Sequence, residues 1–447
     1  MTRMTIDRRA LWRGGIAFSL GIALASCGIG RKDAPKTPVS GQRTAILGST
    51  EVVKADESIA TVPVTLPPAQ VNADWAQSGG NAAKTIGHVA LGEGTQQVWT
   101  ANVAGGGSRM RLASPPVIAD GKLFVIDTGA VVSAFDAKTG RKLWSSSVRS
   151  PDDRGNVEFG GGVSYARGRV YATTGIGDVA SLDAANGTIS WKVRPGGPLR
   201  GSPTLSNGNV YVMSQDNQLF TLNETNGTVV WQDSGTIEST NVFGVAAPAA
   251  AQGSVVAGYS SGELTAYRYE NGRTLWGDAL SRTSISTSVA TLTDIDADPV
   301  IDRGRVFAIG EGGRMASYEL TSGQRLWELN IGGISTPLVV GDWVFVVTDR
   351  SQVFCITRAT GKVRWISDLP AWRKPRKKEG AIRWHGPILA GNKLILGSTE
   401  GALAFLDPAD GKLLLEQDID QSLSLPPVVA DNMLYLLTDD GRIIAWR

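Results

Sequence analysis

Three features of this sequence predict an all-β fold, an eight-bladed β-propeller of four-stranded antiparallel blades closed by an N-terminal strand. The first is a recurring phrase: "DAKTGRKLW" ends at Trp144, "DAANGTISW" at Trp191, "NETNGTVVW" at Trp231, "YENGRTLW" at Trp276, "LTSGQRLW" at Trp327 and "RATGKVRW" at Trp365. "DPADGKLLL" repeats the turn but puts Leu415 in the tryptophan's place, and the successive spacings of 47, 40, 45, 51, 38 and 50 residues have the period of a propeller blade. The second is that eight units of one grammar follow each other from Ala113, beginning near Ser114, Gly162, Ser202, Ala247, Asp298, Thr336, Gly386 and Leu425. The third is that the eighth unit holds only three strands, while "QQVWTANV" near the start of the repeats carries Trp99 where the repeated tryptophan belongs. Pairing 96–103 with 443–447 closes the ring and removes its last open edge.

Taken in order, residues 1–26 read as an export signal. Arg3, Arg8, Arg9 and Arg13 surround a start followed by the uncharged "GGIAFSLGIALAS", thirteen residues and too short to span a bilayer. "LASC" at 24–27 resembles a lipobox, which makes Cys27 the acylated residue, with ordinary cleavage near Ala25 as the alternative. Residues 27–73, rich in Pro, Thr, Ser and Lys, have the composition of a tether, and 74–447 form the propeller. Within each unit an inner strand marked by small residues or proline leads through a turn to an apolar strand, an alternating strand, the Gly turn and the Trp strand. In the first unit these are "SPPVIADG", "KLFVIDTG", "VVSAFDAKTG" and "RKLWSSSV". The glycine supplies the left-handed conformation of a tight hairpin. Trp99, Trp144, Trp191, Trp231, Trp276, Trp327 and Trp365, seven of thirteen tryptophans, share one outer-strand position. There each can wedge against the neighbouring blade and bury roughly 150 to 250 Å².

Charge and composition exclude some functions. The formal charge is +2, but the leader carries four arginines and one aspartate, so the exported chain sits near −1 and gives no sign of a nucleic-acid partner. With Cys27 acylated, Cys355 in the apolar "VFCI" is the one remaining thiol and is expected in the core. His88 and His385 each stand among apolar and small residues, a pattern of structural histidines rather than metal ligands.

"LTDIDADP" places Asp294, Asp296 and Asp298 two apart, but Pro299 and Arg305 stand where an EF-hand needs its glycine and glutamate. A solvated acidic loop or a partner contact remains; in an extended stretch Asp294 and Asp296 project to one side. "WRKPRKKE" at 372–379 is the one dense basic run, either a solvated loop or a contact for anionic lipid or polysaccharide. The "GGG" stretches at 105–107 and 160–162 lack the following lysine and helix of a phosphate cradle.

The phrase D-x-x-T/N-G-x-x-x-W resembles the repeat of pyrroloquinoline-quinone dehydrogenases. Together with the lipobox, the tether, "DWAQSGGN" at 74–81 and eight such repeats, the chain from about 75 to 447 resembles the BamB family, lipoproteins of the β-barrel assembly machinery. That resemblance implies a propeller lipid-anchored at the periplasmic face of the outer membrane, without catalytic role, cofactor or metal. It would bind the POTRA domains of BamA within the Bam complex and assist nascent outer-membrane β-barrel proteins. Gly28 after the acylated cysteine, rather than aspartate, favours the outer membrane by analogy with lipoprotein sorting. The family's partner surface carries over to Asp294 and Asp296, and to a stretch near Thr240 to Phe243 that includes Val242, where Phe243 replaces the family's arginine. The links 232–246 and 277–297 that hold these residues are consecutive and should neighbour each other on one rim. Two other functions stay open: a quinoprotein dehydrogenase, which would need a calcium and quinone site at the axis, and a polysaccharide-binding lipoprotein using the basic run. Many quinoproteins carry adjacent cysteines beside the quinone, and this chain has no Cys-Cys pair.

Overall fold

A computed structural model describes residues 53–92, 96–107, 110–150, 159–236, 245–280, 294–311 and 313–447. Cys27, the export signal, Val242 and Phe243 lie outside the described residues. Among the described residues no helix is long and apolar enough to cross a membrane.

Eight four-stranded antiparallel blades follow each other as the repeat predicts. In blade 1 the strands are Val117–Ala119, Lys122–Ile126, Val131–Asp136 and Lys142–Ser147, in that spatial order. Blade 8 is made of Val428–Ala430, Met433–Leu437 and Arg442–Trp446, and its outer strand is Gln97–Asn102, with Gln97 opposite Trp446 and Asn102 opposite Arg442. The N-terminal closure is therefore as expected. Each blade runs inner strand, second, third, outer, so the first and third turns lie on one face. The middle turn and the link to the next blade lie on the other, called here the link face.

The repeated phrase has a local cause. Asp136 Oδ1 accepts from the backbone N–H of Lys138 (3.1 Å) and Thr139 (2.9 Å), closing the turn before Gly140 at φ 70°. Asp183, Asn223 and Asp407 close the corresponding turns the same way. The glycine meets a second demand that the turn alone does not reveal. A Cβ on Gly140 would lie 2.5 Å from Trp99 Cε3, and a Cβ on Gly187, Gly227, Gly272, Gly323, Gly361 or Gly411 would collide likewise with the tryptophan of the preceding blade. Each indole then donates Nε1–H to a carbonyl of that neighbouring turn: Trp99 to Ala137 (3.0 Å), Trp231 to Tyr269 (3.0 Å), Trp276 to Leu320 (2.7 Å), Trp365 to Pro408 (3.1 Å), with Trp144, Trp191 and Trp327 matching. Seven blade interfaces thus share one lock of indole on glycine.

The eighth interface, from blade 7 to blade 8, has Leu415 at the tryptophan position. Blade 8 has no third-to-outer hairpin there, because its outer strand comes from the N-terminal part of the chain. With no turn to dock on, Leu415 of the outer strand Leu413–Asp418 stays exposed where Trp231 and Trp276 are buried.

Residues 53–73, within the stretch read as tether, lie along the propeller. Asp56 N–H donates to Val363 O (2.7 Å), Lys362 Nζ is 3.2 Å from Asp56 Oδ2, and Val64 and Leu66 pack against the core of blades 6 and 7. Residues 74–91 then cross the face opposite the links. Trp75 bridges to Ile118, Ala76 O accepts from Tyr165 N–H, Ala82 O from Ala250 N–H and Ala83 O from Ile301 N–H, and His88–Val89 adds a parallel strand beside Leu389–Ala390. "DWAQSGGN" is the start of this floor across the ring's axis.

Candidate partner interface and axial cavity

The link face carries Asp294 and Asp296, two of the residues to which the family resemblance assigns partner binding. The segment from Asp294 to Asp298 closes the link into blade 5, and its geometry departs from a solvated acidic rim. Ile295 is fully buried, its N–H donates to Tyr259 O (3.1 Å), and a Cβ on Gly258 would strike its Cγ2 at 2.4 Å. The aspartates on either side of it are withdrawn from water too, against other partners, so Asp294, Asp296 and Asp298 are all buried. The reading of this stretch as a solvated acidic loop is corrected on that physical ground.

What meets them is Arg200, which sequence reading missed. Its side chain is wholly buried; Nη1 donates to Gly258 O (3.2 Å), Nη2 donates to Ser260 Oγ, and Nη2 lies 3.6 Å from Asp296 Oδ1. Ser260 N–H in turn donates to Asn217 Oδ1 (3.0 Å), and Asn217 Nδ2 donates to Thr236 O (2.7 Å). Burial pulls the Arg200 guanidinium down and the negative charges of Asp296 and Asp294 pull it back up. Both carboxylates therefore act on one cation, as their two-residue spacing allows. The only sequence signal was an arginine in "PLRGSP", at a place where other units begin with small residues. The network fixes the bases of the links 235–246 and 280–297, in other words Thr236 on one side and Asp294 to Asp296 on the other.

Asp298 does a different job. Its Oδ1 accepts from Ala247 N–H (2.7 Å), its Oδ2 accepts from Ser78 Oγ (2.6 Å) and lies 3.8 Å from Lys84 Nζ, and its N–H donates to Thr336 Oγ1 (3.2 Å). One residue thereby ties blades 4, 5 and 6 to the floor, its carboxylate reaching blade 4 and the floor and its backbone N–H reaching blade 6. Burial lowers the pKa of Lys84, and Asp298 counteracts this.

A cavity of about 900 Å³ occupies the axis, floored by Ser78, Gly79, Lys84 and Ile86. On its link-face side lie Asp296, Glu311, Arg383 and His385. Burial, reinforced by neighbouring carboxylates including Asp349, pushes Asp296 up to about 6 against the pull of Arg200, and pushes Glu311 up to about 7. Burial drives His385 down to about 4, which keeps it neutral. His88 accepts Asn392 N–H at Nε2 (3.1 Å), so its proton sits on Nδ1 and faces Pro67 O (2.8 Å). Cys355 is buried and its thiol is pushed up by burial, an inert core residue. Among the described residues no group of three or more His, Cys, Asp or Glu is placed to hold a metal ion.

Fold and site define an eight-bladed propeller of the quinoprotein-repeat class in which Arg200, Asp296 and Asp298 brace strands and links. The family described as outer membrane protein assembly factor BamB matches residues 82–153, 128–367 and 370–446. The chain belongs to that family. It is 32% identical over 352 residues to the outer membrane protein assembly factor BamB of Salmonella typhimurium, covering 78% of this chain and 88% of that one. The Escherichia coli K12 relative of the same name is 32% identical over 349 residues, covering 77% and 87%. The crystal structure of BamB from Moraxella catarrhalis superposes with a TM-score of 0.66 at 19% identity, over 79% of this chain and 99% of that one. Quinohemoprotein alcohol dehydrogenase from Comamonas testosteroni reaches 0.65 at 13% identity, a likeness of fold alone.

Proposed function

We propose that this chain is a non-enzymatic scaffold of outer-membrane protein assembly that binds the POTRA domains of BamA. In this reading it is anchored through acylated Cys27 at the periplasmic face of the outer membrane and assists nascent β-barrel proteins. The observation that carries the reading is membership of the BamB family over 82–446. Supporting it, the buried titratable groups on the link face and at the axis serve as structural ties: Arg200 and Asp296 brace two links, Asp298 joins three blades, and His385 is held neutral.

The partner surface is the link face around 235–246 and 280–297. Asp294 and Asp296 contribute by holding the shape of that rim together with Arg200, while Val242 and Phe243 supply direct contact. An apolar pair at the centre of an interface is a common energetic anchor. The test is co-purification of BamA with the anchored protein after detergent extraction. Val242→Asp with Phe243→Asp should reduce recovery at least tenfold with an unchanged melting temperature; full recovery would move the interface elsewhere. An enzyme reading would gain ground only if the purified protein, given quinone and calcium, oxidised alcohols or sugars above the buffer control.

A further inference from the structure

The basic run read as a loop is a built hairpin. Trp372–Lys374 pairs with Glu379–Ala381, with Trp372 opposite Ala381 and Lys374 opposite Glu379. Its turn is closed by Lys377 N–H to Lys374 O (3.1 Å) and Lys378 N–H to Pro375 O (3.3 Å). The base is fixed three ways: Ile382 N–H donates to Ala371 O (3.0 Å), Trp384 Nε1 donates to Pro370 O (2.9 Å), and Arg373 Nε lies 2.6 Å from Glu400 Oε2. The hairpin follows the outer strand Val363–Asp368 of blade 6, so it stands on the link face.

Five cations, Arg373, Lys374, Arg376, Lys377 and Lys378, are exposed on this stalk. Arg373 and Lys374 have the carboxylates Glu400 and Glu379 as partners, whereas Arg376, Lys377 and Lys378 make no ion pair among the described residues. Holding three like charges together on a fixed turn works against the fold, and a solvated loop would spread them instead. The three are consecutive in one short exposed turn, more cations than a single carboxylate can neutralise, whereas a plane of phosphates offers a counter-charge to each. Half-buried Trp372 at the base adds the amphipathic ring favoured at a bilayer surface.

We propose that the 372–381 hairpin is a docking finger for the headgroups of anionic phospholipids, through Arg376, Lys377 and Lys378. The partner reading above is not needed for this. It answers a problem of orientation: the length of chain from Cys27 to the first described residue could span at most about 90 Å, so an anchor at Cys27 does not by itself choose the side of the ring that faces the membrane. A cationic finger selects the link face. Only this orienting role depends on acylation at Cys27.

The test uses the chain from Gly28 onward, which contains the whole closed ring, and co-sedimentation with phosphatidylcholine vesicles with and without phosphatidylglycerol. Binding is expected only with phosphatidylglycerol, weakening as salt screens the charges. Arg376→Glu, Lys377→Glu and Lys378→Glu together should cut it at least tenfold with an unchanged melting temperature. The same reversal at Lys138, Arg141 and Lys142, on the opposite face, should leave it intact. Equal loss in both variants, or no binding by the parent chain, overturns the proposal. Undiminished vesicle binding by the hairpin variant, with loss of BamA recovery, would make the finger a protein contact instead.

Discussion

The guanidinium of Arg200 lies 3.6 Å from the carboxylate of Asp296, and neither side chain reaches solvent to any useful extent. A charge pair withdrawn from water gains little net stability, yet removing one member leaves the other stranded, at a cost of about 3–5 kcal/mol. Arg200→Ala should therefore destabilise the ring by about that amount in urea unfolding. Asp294→Ala with Asp296→Ala should do the same, so loss of partner binding in that variant is informative only beside a melting curve. A denaturation midpoint unchanged by Arg200→Ala would mean that Asp296 is already neutral in the folded protein.

The axial carboxyls make a prediction about pH. Asp296 and Glu311 titrate higher in the folded chain, at about 6 and about 7, than in the unfolded chain. Between the ordinary carboxylate range and those values the folded state binds more protons than the unfolded one. Their contribution to stability is thus fully present at low pH and is lost as pH rises through about 4 to 7. Glu311→Gln should flatten that decline and raise stability at pH 8 by on the order of 1–2 kcal/mol after allowing for solvent screening, without effect near pH 4. Chemical denaturation across pH checks both slope and sign.

The indole lock predicts unequal costs for equivalent positions. Trp365→Ala removes a buried indole and its bond to Pro408, and should cost about 3–5 kcal/mol. Leu415→Ala, at the same place one blade later, should cost less than about 0.5 kcal/mol. Leu415→Trp should bring no gain, because blade 8 offers no glycine turn to receive it. Thermal unfolding of the three variants distinguishes a lock from generic burial.

Closure is checked by deleting 96–103. The strand Arg442–Trp446, whose Ile443, Ile444, Ala445 and Trp446 are buried, would lose its outer neighbour and present an apolar edge. Self-association in analytical ultracentrifugation and a lowered melting temperature are expected. A monomer with unaltered melting would show that the ring does not depend on that pair.

The fold was legible because its signals are local. A capping aspartate, a left-handed glycine and a tryptophan lie within nine residues, and their period gave blade number, blade boundaries and the strand that closes the ring. What stayed hidden was contact between distant segments. Nothing in "PLRGSP" announces that Arg200 sits against Asp296, and nothing in "LTDIDADP" shows that Ile295 is the residue that goes inside. An alternation of aspartate and isoleucine reads as one buried side and one solvated side, whereas here Ile295 packs on Gly258 and the aspartates are buried as well, Asp296 against Arg200 and Asp298 against the floor. Leu415 was visible as an exception, but its cause, a hairpin that does not exist, belongs to the topology.

Joining Gln97–Asn102 to Arg442–Trp446 also imposes a timetable. The outer strand of blade 8 emerges early in synthesis, and its partner follows about 340 residues later. During that interval Gln97–Asn102 has no partner strand, and contacts this remote in sequence form slowly. The last strand to arrive converts an open, adhesive arc into a circle. A molecule halted a few residues short of Trp446 keeps every other blade and still cannot close, so the seam acts as a test of complete delivery.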